Sequence, residues 1–254
     1  MTVRSLRRIV WVVIPLIIIA GAIYFFGGPL RFIPLPPASA STAELLVSDL
    51  PGLLDKPQPS SITYDGCPPQ GMGGDSELNL LQNRVDDGEY TPVTFDSITT
   101  LTWPKSVEQV DMKDWSALNR SFISQYEGLP IMVEGYFGNL REDLPQPANC
   151  NRTNGSNLDW RISLTQNPKD DRSQAIMAVV TPRVRLGHNW TIDQIHAVLI
   201  GAHAPVRVYG WLYFDPNHPD DVGVTRATLW EIHPVMQIEL YQNGRWNPLD
   251  RYVK

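Results

Sequence analysis

The order of secondary-structure patterns beyond residue 129 constrains the fold of this chain more than any other feature. Five strand-like segments rich in β-branched and aromatic residues lie at 130–138, 159–165, 175–182, 204–214 and 233–244. Between the third and the fourth, Thr191 and Gln194 form a capping-box pattern that predicts a helix over residues 191–201. Three strands, one helix and two strands is the order typical of the OB-fold, a five-stranded Greek-key barrel. We therefore expect a mainly β protein with an OB-fold domain over residues 130–245, with another small barrel or a sandwich as the alternative.

Residues 62–129 precede this barrel and contain two helical patterns. Asp75 is suited to be the N-cap of a helix over residues 75–84. A second helix is predicted to end at Gly128, and its apolar residues recur at intervals of three and four: Trp115, Leu118, Phe122 and Tyr126. Such a stripe packs into a core, so we expect a helical and loop segment that packs on the barrel. Residues 246–254 are expected to form a C-terminal tail.

The first 61 residues have the pattern of a membrane anchor followed by a stalk. Residues 1–8 are basic, and residues 9–26 are apolar and carry no charge. At about 1.5 Å per residue this run is long enough to cross a bilayer, which predicts one transmembrane helix over residues 9–30. Because the arginines mostly precede it, residues 1–8 are expected in the cytoplasm and the later residues on the periplasmic or extracytoplasmic side of an inner or plasma membrane. The Pro-rich residues 31–61 predict a stalk.

Two alternatives stay open for the exported part. A cleaved signal peptide would use the small residues Ala38-Ser39-Ala40, although the apolar run exceeds the usual length of about 7–15 residues. Cys67 and Cys150 are the two cysteines of the chain, and an oxidising compartment permits one disulfide between them. Two free, buried thiols are the alternative.

The charge of the exported part disfavours nucleic acid as a partner. Residues 1–61 contain five basic and three acidic residues, so residues 62–254 keep 16 of the 21 basic and 24 of the 27 acidic residues, a net charge of −8. Phosphate backbones are bound by clustered lysine and arginine side chains, and the sequence has no such run. It also lacks a Gly-x-Ser-x-Gly motif or another activated nucleophile. We therefore expect a non-enzymatic protein that does not bind nucleic acid.

One candidate binding surface lies on the fourth strand. Four residues at alternate positions share one face of this strand: Arg207, Tyr209, Trp211 and Tyr213. If exposed, they would contact a partner protein. The alternative is that they pack under the helices around Trp115 or within the N-terminal segment.

A second candidate site combines the loop between the last two strands with the start of the fifth. Four residues there are competent metal ligands, namely Asp215, His218, Glu231 and His233, and His188 is a further candidate. Their spacing matches no metal motif, so no cofactor is predicted and a metal is kept as a hypothesis. The alternative is that Glu231 and His233 hydrogen-bond Arg226 or the backbone and hold the loop. Trp230 and Ile232 are expected on the opposite side of the strand, which should pair fully only after Pro234.

Several stretches together resemble an uncharacterised group of bacterial OB-fold proteins. They are residues 78–84, 126–140, 148–150, 179–183 and 206–219, and the RATLWEIHPVMQIEL motif at 226–240. The resemblance implies the OB-fold and assigns no activity. One departure lies in DWRISL, where Arg161 occupies a position at which the group tends to have histidine. A ligand or metal function that needs that histidine would be lost here.

These observations predict a membrane-anchored binding or scaffolding protein. It would be an accessory subunit whose partners are the other subunits of a membrane protein complex, held in the lipid bilayer by residues 9–30. The alternative is a periplasmic or cell-surface protein that binds a small ligand or a metal at residues 215–234. The exposure of Trp211 and Tyr213 discriminates between them, because a scaffold needs a broad apolar patch and a ligand site needs a cleft.

Overall fold

The computed structural model describes residues 45–50 and 56–252, and their seven strands form one sheet. The strands are β1 (Thr91–Pro92), β2 (Pro130–Glu142), β3 (Trp160–Thr165), β4 (Ile176–Val180), β5 (Pro205–Phe214), β6 (Trp230–Gln242) and β7 (Arg245–Pro248). The barrel strands pair in the order β2–β3–β4–β6–β5, and β5 pairs back with β2. β4 and β6 run parallel, and the other barrel pairs are antiparallel. The mainly β, closed five-stranded barrel is as predicted, and its strand order is consistent with the OB-fold.

A close approach between β5 and β6 explains why a glycine lies in the middle of β5. A side chain at Gly210 would collide with the carbonyl oxygen of Pro234 and the side chain of Ile232. The register of the two strands shifts at this point, as a glycine inside a strand often indicates. The expectation that β6 pairs fully only after Pro234 is wrong, since Trp230 already pairs with Phe214. The shift at Gly210 accommodates the proline without ending the strand.

The connection between β4 and β5 contains the predicted helix, in a shorter form. It starts with α4 (Pro182–Arg185), which the sequence did not predict, and continues with α5 (Ile192–Ile195). The Thr191 hydroxyl accepts the Gln194 backbone N–H at 3.2 Å, which confirms the N-cap. The reciprocal half of the capping box is not formed, since the Gln194 side chain has no hydrogen-bond partner among the described residues. After α5 the chain continues as a π-helical turn, His196–Ile200. Ile195 and Leu199 are buried and face the core, as expected.

Three α-helices lie between residues 56 and 129: α1 (Ser76–Gln82), α2 (Phe95–Thr99) and α3 (Ala117–Ile123). Asp75 accepts the backbone N–H groups of Glu77 and Leu78, which confirms it as the N-cap of α1. The predicted apolar stripe is wrong at Leu118, whose exposed fraction is 79%. Because Ser116 caps α3, Trp115 lies before the helix and enters the core from a preceding turn. The buried face of α3 is therefore set by Ile123 and not by Leu118.

Two predicted boundaries are also wrong. Part of the predicted stalk packs on the folded domain: the Leu45 N–H donates to the Pro92 carbonyl at 3.1 Å, and Val47 and Leu50 are fully buried. The predicted tail contains β7, which pairs with β6, and Leu249 is fully buried. In both cases apolar side chains bury in the core, which the Pro-rich composition and the terminal position concealed.

None of the helices in the described ranges is long and apolar enough to cross a bilayer. The predicted cytoplasmic residues 1–8, the predicted anchor at 9–30 and the alternative cleavage site at 38–40 lie outside the described residues.

Candidate functional site

Two loops and the strands beside them bring a group of charged side chains together. The β2–β3 loop joins the paired residues Glu142 and Trp160, and the β5–β6 loop joins the paired residues Phe214 and Trp230. We call this group the charge cluster; it consists of Asp143, Asp159, Arg161, Asp215, His218, Arg226, Glu231 and His233. All of them except His218 are buried. As expected, Trp230 and Ile232 instead belong to the hydrophobic core.

Two arginines hold the centre of the charge cluster. Arg226 donates to Asp215 Oδ2 at 3.0 Å and to Glu231 Oε1 at 2.6 Å. Arg161 donates to the same Glu231 oxygen at 2.9 Å, and its Nη2 lies 3.5 Å from Asp215 Oδ2. Arg161 Nε lies 3.4 Å from Asp143 Oδ2. Glu231 thus lies between two guanidinium groups, one from the barrel wall and one from the loop that joins β5 to β6.

This arrangement fixes the charge of its central groups. Burial opposes ionisation of Glu231, but Arg226 and Arg161 outweigh it and hold the pKa of this carboxyl well below its usual range. Burial likewise opposes the charge of Arg161, yet Glu231, Asp143 and Asp215 raise its pKa above the ordinary value. Both groups therefore stay charged near neutral pH.

The two histidines of the charge cluster have different surroundings. His218 Nδ1 lies 2.6 Å from Asp215 Oδ2, and this hydrogen bond raises the pKa of His218 despite partial burial. His233 Nδ1 lies 3.3 Å from Glu231 Oε2. His233 Nε2 is buried and has no hydrogen-bond partner among residues 45–50 and 56–252. His233 therefore keeps one ring nitrogen available.

Asp159 connects the charge cluster to the loop between β2 and β3. Its Oδ1 accepts the side-chain N–H of Asn149 at 2.9 Å. Burial raises the pKa of Asp159, and His233 and Asn149 oppose that rise only in part. The backbone of Asp143 pairs with that of Asp159, since the Asp143 N–H donates to the Asp159 carbonyl at 2.8 Å. The two carboxylates therefore lie at the base of the same loop.

A small cleft opens onto the charge cluster. Its volume is about 40 Å³, and its lining includes Asp143, Asp159, Asp215, Arg161, His218 and His233. Gln82 of α1 also lines it, and this side chain donates to the buried Tyr213 hydroxyl at 2.9 Å. A cavity of this size accepts a few waters or one small polar group and excludes a nucleobase or a sugar.

The structure brings the four predicted loop residues, Asp215, His218, Glu231 and His233, together in the charge cluster. Glu231 accepts a hydrogen bond from Arg226, and His233 lies close to Glu231. These contacts match the alternative to a metal site, in which Glu231 and His233 hold the loop. His188 lies elsewhere: Nδ1 faces Asp250 at 3.0 Å, and Nε2 faces the Met236 carbonyl. Within the described ranges, no three His, Cys, Asp or Glu side chains are arranged to hold a metal ion. The metal hypothesis stays a prediction.

The sequence missed Arg161, Asp143 and Asp159 as members of the site. The one signal in the sequence was Arg161, a charged residue between Trp160 and Ile162 in the predicted strand at 159–165. An arginine inside an otherwise apolar strand is rarely buried without partners, and here its partners come from three separate segments.

The predicted aromatic surface on β5 is wrong for two of its four residues. Trp211 and Tyr213 are each about 1% exposed. The Arg84 guanidinium stacks on the Trp211 ring, with Arg84 Cζ 3.3 Å from the centroid of that ring. The Nε1–H of Trp211 donates to the Asp86 carbonyl. The other two residues, Arg207 and Tyr209, are partly buried and bond Glu134 and Glu239 of the neighbouring strands. The N-terminal segment therefore covers this face, which was the alternative reading.

Residues 56–90, here called the cover segment, are fastened to the barrel at several points. A disulfide joins Cys67 to Cys150 in the β2–β3 loop. Arg183 of α4 donates to the carbonyl oxygens of Ile62, Cys67 and Pro68 and to the side-chain oxygens of Asn83 and Asn149. Since Asn149 also bonds Asp159, these contacts extend from the cover segment to the charge cluster.

The fold and the site define a class at the level of architecture: a closed five-stranded barrel with buried ion pairs beneath two of its loops. Comparison of the chain with known protein families, curated proteins and solved structures gives no match.

Proposed function

We propose that the protein is a non-enzymatic, membrane-anchored binding protein with an OB-fold domain that takes a small polar ligand in the cleft over the charge cluster. The observation that carries the proposal is the position of the cleft. Most of its lining comes from the β2–β3 loop, the β5–β6 loop and the barrel strands, and Gln82 of α1 completes it. In OB-folds the loops between strands one and two and between strands four and five are the usual ligand-binding elements, and these are their equivalents here.

The protonation states at the site favour binding over catalysis. A general base works best when its pKa lies near the working pH. Two arginines hold the pKa of Glu231 well below its usual range, so this carboxylate is a weak proton acceptor at neutral pH. The charge cluster instead provides fixed charges, which are suited to selecting and orienting a ligand.

The proposal is tested by closing the cleft. Asn217 is an exposed residue of the cleft lining, so Asn217→Trp fills the entrance without touching the buried ion pairs. Binding to the full-length chain in detergent is measured by calorimetry for three small probes: butylammonium, butyrate and methyl phosphate. We expect at least one probe to bind and Asn217→Trp to abolish that binding.

The matched control is Gln166→Trp, which places the same side chain at an exposed position in another loop. It should leave binding unchanged. Equal binding of a probe to the wild type and to Asn217→Trp would contradict a ligand site in this cleft, as would the absence of binding by all three probes.

A role as an accessory subunit of a membrane complex is the second candidate. A groove of about 720 Å³ is lined by Ile62, Leu186 and His188, and Ile62 and Leu186 are exposed by 43% and 60%. A partner subunit would bury these side chains. Co-purification from gently solubilised membranes should yield a stable complex that Leu186→Asp weakens and Leu118→Asp, at another exposed leucine, does not. Recovery of the lone wild-type chain would contradict this role.

A further inference from the structure

We infer that the cleft over the charge cluster binds a primary ammonium group, carried by a ligand with an alkyl chain. The inference rests on the proposed function and names the chemistry of its ligand. It follows from the charge, the free acceptor atoms and the exposed apolar side chains of the two loops that line the cleft.

The charge of the cluster is unbalanced. It contains four carboxylates, of Asp143, Asp159, Asp215 and Glu231, but only two guanidinium groups, those of Arg161 and Arg226. The excess among these groups is two negative charges. Protonation of His218 offsets one of them, and Arg141, whose Nη2 lies 4.0 Å from Asp143 Oδ1, and Arg185, which acts on Asp159, offset part of the rest from outside the cluster. Buried charge without compensation is costly, so a cationic group in the cleft stabilises the arrangement. A second anion would add to the excess.

A buried atom points to a hydrogen-bond donor on the ligand. The Glu231 carboxylate can only accept, so the His233 Nδ1 that faces it carries a hydrogen. In the neutral ring, Nε2 then presents a lone pair. This nitrogen belongs to a residue that is only 4% exposed, lines the cleft, and has no hydrogen-bond partner among the described residues.

The carboxylates add acceptors, and Arg161, whose guanidinium group lines the cleft, already faces a carboxylate. Asp159 uses Oδ1 for Asn149, and none of the hydrogen bonds among the described residues involves its Oδ2. Arg161 Nε, which makes no hydrogen bond of good geometry in that part of the chain, lies 3.4 Å from Asp143 Oδ2. An ammonium group has three donors and no acceptor, and therefore suits the two free acceptor atoms, Asp159 Oδ2 and His233 Nε2.

Size and surroundings favour an alkylammonium over a guanidinium or a bare ion. The volume of about 40 Å³ accommodates a compact head group, and the two free acceptor atoms are too few for the five donors of a planar guanidinium. Each of the two loops that line the cleft also exposes a large apolar side chain, with Leu144 exposed by 73% and Val224 by 65%. An alkyl chain that leaves the cleft can contact such side chains, whereas a bare ion gains nothing from them.

Butylammonium, cadaverine and an Nα-acetyl-lysine methylamide probe share this chemistry and represent its two sources, a free amine and a lysine side chain. Calorimetry on the full-length chain in detergent should show binding of at least one of them. Butanol and butyrate, which have the same chain without the cation, should not bind. If only the lysine probe binds, the ligand is a lysine of a partner protein; if the free amines also bind, it is a small amine.

Asp159→Asn tests the assignment at the cleft itself. It removes one charge while keeping an oxygen that can accept from Asn149, and we expect it to weaken binding of the ammonium probe at least about tenfold. Asp96→Asn is the matched control, because Asp96 is an exposed carboxylate outside the cleft; it should leave affinity unchanged.

The possible failures are distinct. Binding of butyrate or methyl phosphate that Asn217→Trp blocks, with no binding of any ammonium probe, overturns the ammonium assignment and leaves the proposed function standing. Tight binding of Zn²⁺ or Mg²⁺ that Asp159→Asn abolishes, without amine binding, also overturns it in favour of a metal. Absence of binding by every probe overturns both.

Discussion

Arg161 and Arg183 are both buried arginines on the same barrel, but their surroundings differ in kind. Arg183 donates to five neutral oxygens of the cover segment and the β2–β3 loop. Arg161 lies among the carboxylates of Asp143, Asp215 and Glu231. Burial lowers the pKa of Arg183, whereas in Arg161 the carboxylates overcome burial and raise it.

This difference distinguishes an arginine that attaches the cover segment to the barrel, Arg183, from one that belongs to the candidate binding site, Arg161. Neutral acceptors satisfy the donors of Arg183 and fix the cover segment without creating a negative field. The charge cluster holds more carboxylates than guanidinium groups, so it retains charge that a ligand can use. Burial of an arginine therefore does not by itself indicate a binding site; the balance of charge around it does.

The largest effect is expected from Glu231→Leu, which leaves Arg161 and Arg226 without their shared carboxylate. Removing one partner from a buried ion pair typically costs about 3–5 kcal/mol, and we expect a loss of this size in the free energy of unfolding, measured with urea. Glu77→Leu is the control, since Glu77 pairs with Arg120 on the surface, where a pair contributes about 0–1 kcal/mol. Equal losses of unfolding free energy for the two variants would contradict a cluster whose buried charges stabilise one another.

A smaller loss is expected from Arg183→Met, which leaves several buried carbonyl and amide oxygens without a donor. Each unsatisfied buried polar group costs about 1–3 kcal/mol. Because the cover segment can detach and let water reach these oxygens, we expect a total loss of about this size. The cover segment should also become more sensitive to limited proteolysis, while cleavage elsewhere stays unchanged. Arg172→Met, at an exposed position, should affect neither measurement. Unchanged protection of residues 56–90 in Arg183→Met would show that this arginine does not fasten the segment.

The smallest effect concerns the pH dependence of the charge cluster at His218. The hydrogen bond to Asp215 raises the pKa of His218 above 6.5 in the folded protein. A raised histidine pKa contributes stability that is fully present below the unfolded value near 6.5 and disappears as the pH rises through the higher folded value. We expect His218→Asn to lower stability by up to about 1 kcal/mol at pH 5.5, and less at pH 9.

Thermal unfolding of both proteins across this pH range measures the difference. His196→Asn, at an exposed histidine, should show no such trend. A loss in His218→Asn that does not change with pH would contradict a charged contact.

The barrel was predictable because its evidence is local and repeated. Five short strands with one capped helix in the third connection restrict the topology strongly, and the closed barrel follows that order. Asp75 and Thr191 were predicted as caps for the same reason, since each bonds a backbone N–H two or three residues away.

The site was only partly predictable because it depends on contacts between distant segments. Asp215 and Glu231 could be grouped from one loop, but Asp143 and Arg161 join them through the pairing of β2 with β3. The burial of Trp211 could not be predicted from the alternating pattern of residues in β5. That pattern shows which side chains share one face of the strand, but not what packs on that face. Its cover comes from Arg84 and Asp86, more than a hundred residues earlier in the chain.

The bridge between Cys67 and Cys150 makes the finished cleft depend on an oxidant. It joins residues separated by 83 positions and attaches the cover segment to the loop that carries Asp143 and Asp159. A chain produced in a reducing host cytosol would have the same sequence and could form the same barrel, but its cover segment would not be linked covalently to the β2–β3 loop. Counting the free thiols of each preparation therefore shows whether the disulfide has formed, which bears on ligand binding as much as the purity of the preparation does.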